Sequence, residues 1–348
     1  MRIGSAKESY AQDTALFDSR TQQVWVGVLV VALCAFPFFA SEYWLYLACL
    51  VAINIASTTG LNILTGYTGL VSLGQAAFMG LGAYTVAVLQ IRLGSPFIVN
   101  LLAGGMVAML AGVMVGLPSL RVKGLYLAIA TIAAGVIAHF IFSHFSVLGG
   151  SSGLTVPPAR FFGMELDDSF KLYWVIVPTA VLMLMGAANL FRTRIGRAFI
   201  AIRDRDISAE VLGISLLRYK LLSFAISSFY AGVAGGLFVY FFRAVTPESF
   251  PLLMSIFFLA AVIVGGMGSI LGSILGAVFM TLVPEVLKLI VGWLPLAFFG
   301  GNATLILSPI RTIVFGLMIV LFLIFEPHGL AEVWRRVRRL FHLWPFRT

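Results

Sequence analysis

Apolar residues run along this chain in long unbroken stretches separated by short polar joints. Neither the two-residue alternation of a half-buried strand nor the narrow stripe of a soluble helix accounts for such a pattern. A bilayer core takes about 20 apolar residues per helix, fewer where the span is thinly capped or tilted. On that ruler ten segments read as spans: Val24–Ala40, Trp44–Leu64, Gln75–Leu93, Phe97–Leu117, Gly124–Phe145, Leu172–Phe191, Lys220–Phe242, Leu252–Val264, Leu271–Val291 and Ile310–Phe325. The eighth is short, and the glycine-rich link after it, GGMGSILGSILG (Gly265–Gly276), is read as its continuation. The runs are too continuous for the alternating strands of a membrane β-barrel. The fold class is therefore an all-α polytopic membrane protein with about ten transmembrane helices.

One long charged island interrupts the pattern, Arg192 to Lys220 (RTRIGRAFIAIRDRDISAEVLGISLLRYK). Ile195, Ala198, Phe199 and Ile202 recur within it at helical spacing, and Ile207 and Val211 continue the apolar edge. Arg197, Arg203, Asp204, Arg205, Asp206 and Glu210 fill the remainder, which is the signature of an amphipathic helix. Such a helix between two spans suits docking on a soluble partner. It equally suits lying on the membrane with its arginines on lipid phosphates.

Composition agrees with the pattern: 60% of the 348 residues are hydrophobic and 11% charged, and mean hydropathy is +1.03. A formal charge of +9 would suit nucleic acid, but the basic residues cluster in loops between apolar spans. Retention of positive charge on the cytoplasmic side explains them better. With both termini placed inside, the inner loops and tails hold 17 of the 23 Lys and Arg, a bias that fixes sidedness and favours an even number of spans. The chain then divides into a cytoplasmic tail (1–23), a transmembrane region (24–326) carrying the charged loop 192–220, and a basic cytoplasmic tail (327–348). The polar start lacks an apolar stretch of the signal-peptide kind and reads as a tail. Cys34 and Cys49 both fall within spans, so buried free thiols are expected.

Polar groups inside spans are costly in lipid, so their placement carries information. Asn54, Thr58, Asn62 and Thr65 follow at i+4, i+4 and i+3 and share a face of the second span. Directly afterwards Gly66, Gly69 and Gly74 are expected to break the helix, with Ser72 and Gln75 nearby, while Gly74, Gly80 and Gly82 allow close backbone approach. This face and break either border a solute path or tie helices together by hydrogen bonds. Glu285 and Lys288, three apart after Pro284, form either a self-neutralising pair or a gate. His139 and His144 read as interfacial residues. The outer loop Ser146–Lys171, punctuated by glycine and proline and made acidic by Glu165, Asp167 and Asp168, reads as a solvated connector in preference to a contact surface for something outside the membrane.

There is no GxxxxGK[ST], no HExxH, no GxSxG with a partnered histidine and no Cys/His metal cluster. No catalytic residue, metal ligand or cofactor site is therefore assigned to this chain. Active transport through it would draw on an ion gradient, with Glu285 or Glu326 as the embedded carboxylate, or on another subunit.

Four stretches carry a resemblance to a known family: NILTGYTGLVSLGQAAFMGLGAYT (Asn62–Thr85), the run Gly196–Phe238 from GRAFIAIRDRD onward, GGMGSILGSILGAVFM (Gly265–Met280) and FGLMIVLFLIFEPHGL (Phe315–Leu330). In this order they resemble the permease subunits of branched-chain amino acid ABC importers, and the longer of the two paralogous types in particular. The resemblance implies an ABC importer permease fold in a bacterial inner membrane, paired with a homologous permease. It further implies two cytoplasmic ATPase subunits that hold ATP and magnesium, and a periplasmic solute-binding protein. The charged loop would then be the ATPase-coupling segment, with Gly196 and Gly213 shaping helix ends and Arg203, Asp204, Asp206 and Glu210 supplying polar contacts. The stripe Asn54, Thr58, Asn62 and Thr65 with Ser72 and Gln75 would border the translocation path. Many importer permeases read EAA-x-x-x-G at this loop, whereas this chain reads AEVLG (Ala209–Gly213). Related permeases of the same build carry urea or short amides.

Overall fold

The computed structural model describes residues 20–119, 124–161, 164–292 and 329–343, with scattered positions between 313 and 326. In chain order the helices are α1 (Arg20–Phe39), α2 (Glu42–Asn62), α3 (Gln75–Leu93), α4 (Phe97–Ser119), α5 (Leu125–His144) and α6 (Ser169–Arg192). Two short helices follow, α7 (Arg194–Asp204) and α8 (Asp206–Val211). The remainder are α9 (Leu216–Phe242), α10 (Leu252–Gly265), α11 (Ile270–Gly292) and α12 (Leu330–Leu343). With no water to bond the backbone in lipid, long apolar segments close their hydrogen bonds internally as helices. Among the described residues seven helices are long and apolar enough to span a bilayer, and two shorter apolar stretches, Val30–Phe39 and Ile270–Val286, accompany them. Most of the tenth expected span, Ile310–Phe325, and most of the two tails lie outside the described residues.

At the centre stands α9, packed along α4, α3 and α2, while α2 also packs against α6, α11 and α10. Glycine sets the α3–α9 spacing. A Cβ on Gly82 would overlap the backbone of Gly232, and one on Gly235 would overlap the Met79 carbonyl. Small residues of this kind let membrane helices approach until backbones touch, and van der Waals contact then supplies the attraction that hydrophobicity cannot. Near the outer ends of α3, α4 and α9, the buried Asn100 amide donates to Gln90 Oε1 and to the Tyr240 hydroxyl, each at 2.9 Å. Tyr240 donates in turn to Gln90 at 3.2 Å. This knot satisfies three polar groups that lipid could not.

Several sequence expectations change. The link after α10 does not continue that helix: Gly266 and Gly268 take φ of +113° and +72°, and α11 starts afresh at Ile270. The eighth span is lengthened at its other end by a 3₁₀ turn, Pro247–Ser249, so that Pro247–Gly265 covers 19 residues. Gly66 does not end α2 either, because Ile63–Tyr67 continues as a π-helical turn and the reversal comes at Gly69, φ +75°. Helix α1 starts at Arg20, inside the expected tail, and α9 starts at Leu216, inside the charged island.

The outer loop is an ordered cap more than a connector. Strand β1 (Leu154–Thr155) pairs antiparallel with β4 (Ala244–Val245), and β2 (Arg160–Phe161) pairs with β3 (Met164–Glu165). Arg243, which ends α9 at φ +55°, donates to the Leu166 carbonyl at 3.2 Å and to that of Asp167, and lies 3.6 Å from the Asp167 carboxylate. Cys34 and Cys49 are free thiols, the first exposed and the second buried.

The glycine contacts make a sharp prediction. Gly82→Val should lower detergent thermal stability by about 1–3 kcal/mol or abolish monodisperse protein, since it drives a side chain into the α9 backbone. Gly135→Ala, where a Cβ meets nothing within 4 Å, should leave the melting curve unchanged. Equal curves for both variants would disprove the packing arrangement.

Candidate functional site

The polar stripe of α2 is buried, and its members reach different neighbours. Asn54 donates to Thr281 Oγ1 of α11 at 2.9 Å. Two turns on, Asn62 donates to the Ser269 carbonyl at 2.8 Å and to Ser273 Oγ at 2.7 Å, while its own oxygen accepts the Gly268 N–H at 2.9 Å. The helices are antiparallel, so positions 54 and 62 on α2 match 281 and 273 on α11. Thr58 sits at the intermediate rung, fully buried, and its hydroxyl has no hydrogen-bond partner among the described residues. Farther along, Thr65 donates to the Leu70 carbonyl at 3.1 Å and Ser72 accepts from the Gly74 N–H at 3.3 Å. Gln75, at the start of α3, donates to the carbonyl and hydroxyl oxygens of Ser57. Asn54 and Asn62 thus fasten α2 to α11, and Gln75 fastens α3 to α2. Ser57 and Ser273 complete these bonds; isolated serines within apolar runs gave no periodic signal of their own.

Below the stripe lie two helix breaks in contact. A Cβ on Gly66 would collide with Asn62 Oδ1 and with the Gly268 nitrogen, so the π turn after α2 and the link before α11 meet backbone to backbone. Tyr67 stacks on Phe191, the penultimate residue of α6, with ring centroids 3.4 Å apart. Gly329, φ +78°, is pressed against Gly266, where its own Cβ would stand 2.6 Å from the Gly266 Cα.

The charged loop folds over this knot as two helices. Thr193 caps α7 by accepting from the Gly196 N–H at 3.5 Å. A Cβ on Gly196 would overlap the Phe191 backbone, so glycine lets α7 turn sharply off α6. Ala198, Phe199 and Ile202 are buried, which seats the apolar face of α7 inward. At Arg205 the backbone extends to φ −157°, ψ 103°, and the helix direction resets. As a result Ile207 and Val211 do not continue the buried edge. They are 71% and 83% exposed, and Leu212 beside them is 81% exposed. Gly213, at φ +86°, ends α8, with its N–H bonded to the Glu210 carbonyl at 2.9 Å.

The loop's charged residues divide. Arg203, its side chain 37% exposed, reaches back to donate from Nη1 to the Gly66 carbonyl at 3.1 Å, while Nε and Nη2 hold Asp204 at 3.1 Å. Asp206 accepts from the Ile207 N–H at 2.9 Å and lies 3.8 Å from Lys220 Nζ. Glu210 is exposed. Between Thr68–Leu70, Gly124 and the run Ile202–Asp206 is a cleft of about 240 Å³. Away from this site, Glu285 accepts a hydrogen bond from the Tyr43 hydroxyl at 2.8 Å, and the Lys288 side chain lies outside the described residues. Among the described residues no three His, Cys, Asp or Glu side chains are grouped to hold a metal ion.

The family described as branched-chain amino acid transport system, permease component, matches residues 41–323. The chain belongs to this permease family. The permease is 34% identical over 339 residues to the high-affinity branched-chain amino acid transport system permease protein LivM of Escherichia coli (strain K12), an alignment covering 90% of this chain and 76% of that relative. It is 30% identical over 221 residues to the probable branched-chain amino acid transport permease protein LivH of Methanocaldococcus jannaschii, covering 62% of this chain and 66% of the relative. A shorter likeness, 34% over 113 residues, joins it to the autoinducer 2 import system permease protein LsrC of Enterobacter sp. (strain 638), covering 31% of this chain and 33% of that one. No solved structure matches the chain.

The rungs between α2 and α11 can be told apart by substitution. Asn62→Ala strands the Gly268 N–H and removes two further bonds, so it should cost about 1–3 kcal/mol in detergent thermal unfolding. Asn54→Ala, which removes one bond, should cost roughly 0.6 kcal/mol, the usual worth of a hydrogen bond between membrane helices. Thr58→Val should not destabilise at all, because that hydroxyl has no partner to lose; a melting point below that of Asn54→Ala would contradict this arrangement.

Proposed function

We propose that this permease is the membrane subunit of an ATP-driven importer of branched-chain amino acids in a bacterial inner membrane, working by alternating access. The branched-chain amino acid transport of the LivM and LivH relatives, alike over 90% and 62% of the chain, supports the solute class. The matching of both paralogous types supports a homologous permease as its partner in the membrane. Two cytoplasmic ATPase subunits would carry ATP and magnesium, with no cofactor in this chain, and a periplasmic binding protein would deliver the solute. On this reading the transmembrane region runs near 24–326, between tails 1–23 and 327–348 that would both lie inside.

The observation that carries the coupling role is the change of face at Arg205. Helix α7 spends its apolar side on the membrane helices, and α8 then turns Ile207, Val211 and Leu212 outward from an otherwise charged loop. An apolar edge rimmed by Asp206, Glu210 and Arg205 is the composition of a contact core within a polar rim. Closure of paired ATPases would draw α8 along with it and tilt the spans. Branched-chain amino acids are zwitterions with apolar side chains, and a path for them needs weak neutral contacts, since tight binding would prevent release. Asn54, Thr58, Asn62, Thr65, Ser72 and Gln75 are uncharged and suit such a path.

Ile207→Asp combined with Val211→Asp tests the reading. Both positions are exposed, so insertion and monodispersity should be retained. The co-purified ATPase subunits should be lost, along with ATP-dependent uptake of labelled leucine into vesicles. Wild-type uptake by the double variant would overturn the proposal.

A further inference from the structure

Arg203 stands under two helix breaks at once. Its Nη1 donates to the Gly66 carbonyl at 3.1 Å. A Cβ on Gly69 would come 3.2 Å from its Cγ, and one on Gly268 would come 2.6 Å from its Nη1. The other side of the same guanidinium holds Asp204 at 3.1 Å. The planar fork therefore joins the end of α7 to the end of α2 while touching the link before α11.

Each part has a physical reason. Gly66 lies in the π turn that follows α2, where carbonyls have no further helical turn to bond them and carry the negative end of the helix dipole. Neighbouring carbonyls are met locally: that of Ile63 by the Thr68 hydroxyl at 3.0 Å and that of Leu64 by the Leu70 N–H at 3.1 Å. The Gly66 carbonyl is met by a residue 137 positions away. A π turn is an uncommon form, frequent at functional sites. Asn62 Oδ1 accepts the Gly268 N–H, so a movement of the π turn is passed to the α10–α11 link.

The geometry points to Arg203 as a positioning residue that transmits motion of the charged loop into the breaks at Gly66 and Gly268. This rests on the proposed seat of the ATPases on α8, but it assigns Arg203 to the inner side of the loop and not to the docking face. Lysine, a point charge without the fork, reaches one partner at a time and replaces arginine only in part.

The test uses the full-length chain in the complete assembly, reconstituted in vesicles with the binding protein and labelled leucine, measuring uptake and ATP hydrolysis together. Arg203→Gln should keep its ATPase subunits while leucine taken up per ATP falls about tenfold, the scale of one charge-assisted hydrogen bond. Arg203→Lys should recover part of that loss. Gly268→Ala, which leaves Arg203 chemically intact but crowds its Nη1, should uncouple in the same direction. Amide exchange across residues 63–70 should quicken in Arg203→Gln and stay unchanged in Ile207→Asp, a difference that loss of docking alone does not produce. Unchanged uptake per ATP in both Arg203→Gln and Gly268→Ala overturns the inference. So does loss of the ATPases from Arg203→Gln, which would place the residue at the docking face. A wild-type assembly that takes up no leucine with ATP would instead remove the importer reading, independently of Arg203.

Discussion

Backbone N–H and C=O groups in a hydrocarbon layer must find partners inside the protein, and most of this architecture follows from that requirement. Regular helices meet it automatically along the seven long apolar helices among the described residues. The difficulty arises where helices stop short, at Thr68–Gly74 and at Gly266–Ser269. There the chain brings the two breaks together, so that a side chain from one serves the backbone of the other. Asn62 takes the Gly268 N–H and gives to the Ser269 carbonyl, and Arg203 takes care of the Gly66 carbonyl. Irregular backbone is tolerated because protein, not lipid, surrounds it.

Close packing makes that exchange possible. At Gly66 and Gly268 the backbones touch, and a single methyl group would hold them apart. The same economy of volume operates higher in the bundle, where Gly82 and Gly232 bring α3 onto α9. Rigid contact in the upper bundle and broken helices below divide the molecule mechanically. The lower layer contains the π turn, the link, the Tyr67–Phe191 stack and the two loop helices. Helix α7 packs against both α8 and the π turn, and so lies between α8 and the rest of that layer.

The sequence made the membrane bundle legible because span length is a local property. Ten apolar segments, the side on which basic residues collect and four family-like stretches can each be read without knowing what touches what. The loop residues Gly196 and Gly213 were also readable, since a sharp turn and a positive φ both select glycine. Spacing at i+4 was enough to place Asn54, Thr58 and Asn62 on one face of α2, but it could not name α11 as the facing helix.

Relations across long separations emerged only once the chain was folded. Asn62 meets Gly268 over 206 positions and Asn54 meets Thr281 over 227, and no periodicity of either segment encodes the other. The reversal of face at Arg205 likewise depends on α7 being pinned by Phe199 and Ile202 before α8 starts, so an apolar edge that looks continuous in sequence becomes one buried half and one exposed half. The outer loop became a cap because Thr155 found Ala244 and Arg243 found Asp167. Hydrophobic length is summed along the chain, whereas hydrogen bonds are settled between chain segments, and that difference separates what could be read from what had to be seen.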